Sequence, residues 1–131
     1  MLSQAVQTFF TNAEGKYLMQ MRNNHPDIMC PLQWGFFGGG VEGDETFAEA
    51  ACRETFEEMG MRIQPTDLEE LGSMEHPGVP GQMVYMFRCR TPIEWSMIKL
   101  AEGAGAGYFS FDEIQLIDAS PVVKEIAKRF L

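Results

Sequence analysis

The sequence predicts an α/β protein, an α/β/α sandwich around a mixed β-sheet. Segments with strand character alternate with helical ones along the chain. Residues 82–90 (QMVYMFRCR) are apolar on both alternating faces, the pattern of a central strand covered on two sides. A chain of 131 residues that is 45% hydrophobic and 22% charged buries enough surface for one compact domain, expected over residues 1–131.

The elements follow in order. Residues 4–10 (QAVQTFF) and 16–21 (KYLMQM) are rich in strand formers and flank a polar TNAEG, which predicts a hairpin. Residues 22–33 carry two prolines and several turn formers and read as a loop leading to a short strand at 34–37, ended by the glycines at 38–40. A helix is expected to start at Thr46, whose hydroxyl forms a capping box with Glu49, and to stop at Gly60. Its expected buried stripe is Ala48, Ala51, Cys52, Thr55 and Met59. After the central strand come a short strand at 107–109, a helical turn at 112–117, and a final helix opened by Ser120 and Pro121.

Nineteen acidic against ten basic residues give a net charge of -9, a poor match for a nucleic acid polymer. A small polyphosphate remains compatible, because divalent cations bridge carboxylates and phosphate oxygens. The three cysteines form no CxxC pair and read as reduced apolar residues. No stretch resembles a membrane span or a leader. A cytoplasmic protein without membrane partners, monomeric or homodimeric, is expected.

The chemistry concentrates on the predicted helix. Glu54, Glu57 and Glu58 stand at i, i+3 and i+4 and are expected on one face turned away from the buried stripe. They repel one another near the helix C-terminus, where the macrodipole also disfavours anions. A solvated acidic face would be the ordinary account of such a run. A preceding glycine turn, Glu45 and Arg53 instead suit a site for a hard cation with oxygen ligands.

The spacing Gly39, five residues, Glu45, seven residues, Arg53-Glu54-Thr55, one residue, Glu57-Glu58, one residue, Gly60-Met61 resembles the Nudix box, Gx5Ex7REUxEExGU. Seven fixed residue types at set spacing arise at a given start by chance on the order of 10⁻⁸ of the time. Thr55 departs from the pattern, standing where a bulky aliphatic residue is usual, and so bears on packing. The flanking WGFFGGGVEGDET and EGAGAGYFSFDEI also look like MutT-like members, which extends the resemblance along the chain.

The resemblance implies a Nudix-type fold and Mg²⁺-dependent hydrolysis of a diphosphate bond in a nucleotide, with Mn²⁺ as a substitute metal. Glu54, Glu57 and Glu58 would bind metal, with the Gly38 carbonyl completing the shell, while Glu45 and Arg53 pair to support loop and helix. Glu57 is the first choice for general base and Glu102, in the glycine-rich AEGAGAG segment, the second. Arg22, after the second strand, is expected to reach substrate phosphates. Gly39 belongs to the substrate-facing turn, and Trp34 and Phe36 are weighed as base-stacking rings against core aromatics. His25 and His76 read as exposed loop residues, although His76 and Glu75 precede a PGVPG loop that would suit a substrate. A nucleotide-sensing module without turnover is the alternative, and the complete carboxylate set weighs against it.

Overall fold

Buried side chains on both faces of a single strand set the architecture. In the computed structural model, which describes residues 4–22, 32–101 and 105–131, strand β1 (Ala5–Phe9) sends Val6 into one core cluster and Phe9 into another, and Phe10 returns to the first. Such a strand belongs in the interior of a sheet. The others are β2 (Tyr17–Met21), β3 (Trp34–Gly35), β4 (Phe37–Gly40), β5 (Leu68–Glu75), β6 (Met83–Cys89) and β7 (Gly105–Phe109). β1 lies antiparallel to β4 and parallel to β6, and β5 closes the sheet against β6 in the order β4-β1-β6-β5. This is the expected mixed sheet, with β6 as an interior strand. Val84 and Met86 face one cluster, while Phe87 and Cys89 face the other.

One helix covers each face. α1 (Phe47–Met59) brings Ala50, Ala51 and Met59 to the cluster that holds Val6, Phe37 and Phe87. The short α2 (Phe111–Ile114) leads to α3 (Pro121–Phe130), whose Ile126 and Ala127 join Phe9 and Met86 on the opposite side. α1 begins and ends as its sequence dictates. Thr46 Oγ1 accepts from the Glu49 N–H at 3.1 Å, Glu49 answers to the Thr46 N–H at 2.8 Å, and Gly60 adopts the left-handed φ of 68°. Two of its last carbonyls are also satisfied from outside the helix: Lys99 donates to Met59 at 2.8 Å and Ala101 to Glu58 at 2.9 Å.

Several expectations are corrected. Residues 4–10 and 16–21 do not pair as a hairpin: β2 leaves for a second, three-stranded antiparallel sheet in the order β3-β2-β7. The strands meet only around the turn, through the Thr11–Tyr17 bridge and the Leu18 N–H to Phe10 carbonyl bond. The physical reason is that β1, buried on both faces, is flanked along its length by β4 and β6. The glycines do not end the strand at residue 37 either, because Gly38, Gly39 and Gly40 are the body of β4. A Cβ on Gly38 would lie 2.2 Å from the Val6 carbonyl oxygen, and one on Gly39 would lie 2.3 Å from Glu54 Oε1, so bare backbone is what lets strand and helix approach. β5 is absent from the sequence reading. Glu69, Glu70 and Glu75 and an irregular register between Glu70 and Gly72 hide its alternation, and Arg88 on β6 compensates Glu69 at 2.6 Å.

The buried stripe of α1 is also shifted. Ala50, Ala51, Thr55, Glu58 and Met59 are its buried residues, whereas Ala48 and Cys52 are only half-buried. Thr55 is accommodated by donating its hydroxyl to the Ala51 carbonyl at 2.7 Å. Among the described residues, no helix is long and apolar enough to cross a membrane.

Replacing Gly38 with Ala should destabilise the fold by about 1–3 kcal/mol or more, because the added carbon meets backbone rather than a movable side chain. A lowered urea midpoint with an unchanged slope is the expected result.

Candidate active site

Arg53 projects from the middle of α1, and each of its five N–H donors finds an acceptor. Nε and Nη2 grip Glu45 as a fork, at 2.8 Å to Oε2 and 3.0 Å to Oε1. Nη2 also donates to the Gly40 carbonyl at 2.8 Å, and Nη1 donates to Glu54 at 2.9 Å and Glu57 at 3.2 Å. Glu45 in turn accepts from the Glu42 N–H at 2.8 Å. One guanidinium therefore ties helix, loop and glycine strand together.

The electrostatics follow from this geometry. The hydrogen bonds from Arg53, followed by that from the Glu42 N–H, hold the Glu45 carboxyl below its ordinary value of 4.5. The Arg53 guanidinium is driven further up by its bonds to Glu45 first and then Glu54. Glu42 approaches Arg53 at 3.7 Å, so this one guanidinium faces Glu42, Glu45, Glu54 and Glu57.

The three helix carboxylates are not equivalent. Glu57 has a side chain 49% exposed and Glu54 one 17% exposed, while Glu58 is 3% exposed within the core. The expectation of three carboxylates turned away from the buried stripe is therefore wrong for Glu58. Counting from Ala51 to Thr55 to Glu58 gives i, i+4, i+7, which is the buried face itself. Glu58 Oε2 accepts from the Gln20 amide at 3.4 Å, and the same amide lies 3.4 Å from the Phe36 carbonyl. Gln20, 6% exposed on β2, thus links the acidic helix to the segment between β3 and β4.

That segment borders a cavity of about 320 Å³ on the α3 side of the mixed sheet. Gln7, Arg22, Trp34, Phe36 and His76 line it, together with Val122, Val123 and Ile126 of α3. Arg22 is anchored through its backbone, donating to Gln33 at 3.0 Å and accepting from Leu32 at 3.2 Å. The Trp34 ring packs edge-on against Phe109, and the Trp34 backbone N–H donates to the Asp118 carbonyl at 2.9 Å. Phe36 is 4% exposed and packs edge-on against Phe9, so most of its ring is core. His76 is half-buried rather than exposed, because its ring turns back over its own loop and Nδ1 accepts the Gly78 N–H at 3.0 Å.

The family model of the NUDIX domain matches residues 1–130. The chain belongs to the Nudix family. Solved structures agree on the fold of this Nudix domain. A MutT protein from Methanosarcina mazei Go1 superposes with a TM-score of 0.78 at 20% identity, covering 98% of this chain and 91% of that one. The E. coli dihydroneopterin triphosphate pyrophosphohydrolase gives 0.70 at 20% identity, covering 96% and 92%. The NUDIX domain of Shewanella oneidensis NrtR, complexed with ADP ribose, gives 0.72 at 16% identity, covering 98% and 87%. Comparison with curated proteins finds no match. The protein is a Nudix hydrolase, of a family that hydrolyses nucleoside diphosphate derivatives and generally uses divalent cations.

The donors of this Nudix domain suit such a cation: carboxylate oxygens of Glu54, Glu57 and Glu58 with backbone carbonyls of the adjoining glycine strand are hard ligands. Among the described residues, no three acidic, imidazole or thiol groups already converge as a ligand set. Arg53 donates to Glu54 Oε1 and to Glu57 Oε2, and a carboxylate so engaged has a second oxygen able to accept a cation. Burial of Glu58 favours the same occupant, since a carboxylate in the core is costly without positive charge nearby.

The structure thus gathers Gly39, Glu45, Arg53, Glu54, Glu57 and Glu58 on the α1 side, and Arg22, Trp34 and Phe36 around the cavity, with Gly38 beside Gln7 on the cavity's face of β4. Glu102 and His25 lie outside the described residues. Sequence reasoning missed Gln7 and Gln20, and it set His76 before a loop suited to a substrate without bringing it to this cavity. The available signal was glutamine inside two largely apolar strands, AVQTF and YLMQM.

The lowered carboxyl of Glu45 gives a pH prediction. Its pairing stabilises the fold fully above about pH 4.5, its ordinary value, and that contribution is lost as pH falls through the lower folded value. Glu45→Gln should melt below the wild type at pH 7, and the two melting temperatures should converge in acid. A gap that persists at pH 2–3 would contradict the assignment.

Proposed function

We propose that this Nudix hydrolase cleaves the diphosphate linkage of a nucleoside triphosphate or modified nucleotide, with Mg²⁺ as cofactor and Mn²⁺ as a substitute. The observation that carries the reading is the tie between two sites: Gln20 joins Glu58 on the acidic helix to Phe36 at the rim of the cavity. A nucleoside in that cavity would direct its phosphates toward the glycine strand and the carboxylates. Two structural neighbours, a dihydroneopterin triphosphate pyrophosphohydrolase and a domain holding ADP ribose, also handle a ring system joined to phosphates, which supports this class of substrate.

Glu54, Glu57 and Glu58, with the Gly38 carbonyl, would hold the cation. When bound, it neutralises charge developing on the diphosphate and acidifies a water. Glu57, the most exposed of the three, takes the proton from the water that attacks phosphorus, and the bridging oxygen departs with the leaving phosphate. A nucleoside monophosphate and the phosphorylated remainder are the products. Glu102 is the second candidate for the proton. Arg53 and Glu45 are positioning residues: they fix the helix against the glycine strand, and Arg53 orients Glu54 and Glu57. Gly39 lets Glu54 lie directly over the strand. Arg22 draws the phosphates to the cavity mouth, with Trp34 supplying the accessible aromatic surface and Phe36 backing it.

Product release measured across nucleoside triphosphates, oxidised nucleotides, nucleotide sugars and dinucleoside polyphosphates tests the reading. Cleavage of one class that EDTA abolishes is the expected outcome. Binding without cleavage of any class would instead establish the sensing module. Glu57→Gln should lower kcat by about 10²–10⁴-fold with the fold intact, and unchanged turnover would remove its assigned role. For Arg22→Ala the expected change is a raised KM with kcat nearly retained.

A further inference from the structure

Among the described residues no donor reaches the buried Gln7 Oε1. Gln7 stands in the middle of β1, between Gly38 on β4 and Met86 on β6, and its side chain lines the cavity. The neighbouring strand is bare there: a Cβ on Gly38 would lie 3.0 Å from Gln7 Cγ, so the side chain occupies space that a residue other than glycine would claim. Buried carbonyl oxygens are nearly always paired, and an unpaired one costs free energy that a ligand donor recovers.

The rest of the lining narrows the ligand. Val122, Val123 and Ile126 close one wall, Trp34 and Phe36 another, and Ser120 Oγ is engaged by the Val123 N–H at 3.2 Å. A volume of about 320 Å³ is at the lower end of small-ligand sites, roughly 300–1,000 Å³. That suits a flat heterocycle with its sugar. Arg22 and His76 lie at the same cavity, and His76 Nδ1 is already committed to Gly78, which leaves its Nε2 as the donor of the neutral ring. Gln7 Oε1 is the acceptor in this apolar enclosure with no bond to satisfy it.

We propose that Gln7 is a specificity-determining residue, whose amide oxygen accepts a hydrogen bond from an amino or ring N–H group on the base of the substrate. The proposal rests on the reading of the cavity as the nucleoside seat. A base with such a donor satisfies Gln7. A base without one leaves the Gln7 oxygen buried and unpaired, and discrimination of this kind exceeds what apolar contact alone provides.

Equilibrium binding of AMP, GMP, CMP and purine riboside monophosphate, whose base has neither an amino group nor a ring N–H, tests this separately from hydrolysis. Wild type should bind at least one of the three natural nucleotides about 10-fold or more tightly than the purine riboside compound. Gln7→Met, similar in size but without the acceptor, should abolish that preference by weakening only the donor-bearing ligand. Gln7→Glu, which keeps an acceptor oxygen, should retain it. Circular dichroism and melting confirm that both variants fold. A preference equally strong in Gln7→Met, or no preference in wild type, overturns the role of Gln7 while leaving hydrolysis intact. Failure of all four to bind overturns the role together with the nucleoside seat, and the cleavage panel then shows whether the hydrolase reading survives.

Discussion

A single guanidinium reconciles two demands that conflict along α1. Catalysis with a hard cation calls for several carboxylates within one or two helical turns, yet like charges at i, i+3 and i+4 destabilise a helix. Arg53 resolves the conflict by spending every N–H it has: two on Glu45, one on the Gly40 carbonyl, and one each on Glu54 and Glu57. A lysine would not do this, because its ammonium has three donors and no planar fork to grip a carboxylate. Arg53 therefore fixes loop, helix and strand at once, and the neighbouring glycines are shaped around it.

The same constraint reaches the far face of the sheet. Glu54 lies so close to Gly39 that no Cβ fits between them, and at Gly38 a Cβ would meet the Val6 carbonyl of β1, so β4 passes both neighbours as bare backbone. The gap at Gly38 gives Gln7 room on the α3 side, while Gln20 connects Glu58 to the Phe36 carbonyl beside that cavity. The acidic helix and the cavity occupy opposite faces of one four-stranded sheet, and β4 is the part of the fold they share. Movement of the glycine strand would alter both sites together.

What the sequence made legible is local. The Thr46–Glu49 capping box, the left-handed Gly60 and the Ser120–Pro121 start are settled within four residues and appear as expected. The run of apolar residues in β6 also reported its interior position. Pairing over long distances was hidden: an apolar β1 is equally consistent with a hairpin partner and with the β4 and β6 neighbours it has. β5 was masked because its glutamates are compensated by Arg88 from another strand, which no local pattern records. At the site, the carboxylates and Arg53 were visible through their spacing, but Gln7 and His76 acquire significance only when the fold brings them to one cavity, and Gln20 only when it meets Glu58 and Phe36.

Glu58 shows why a pattern can be visible and still be misread. Its sign suggested a solvated face, whereas its spacing from Ala51 and Thr55 placed it on the buried one. Spacing wins here because a 13-residue helix has little freedom to rotate once Ala50, Ala51 and Met59 are packed against β1 and β4. The carboxylate is carried inward by its neighbours, and the Gln20 amide meets it there. A neutral amide orients a carboxylate without cancelling its charge, whereas a lysine or arginine at position 20 would neutralise it. Glu58 is therefore an oxygen donor oriented by Gln20 within the core.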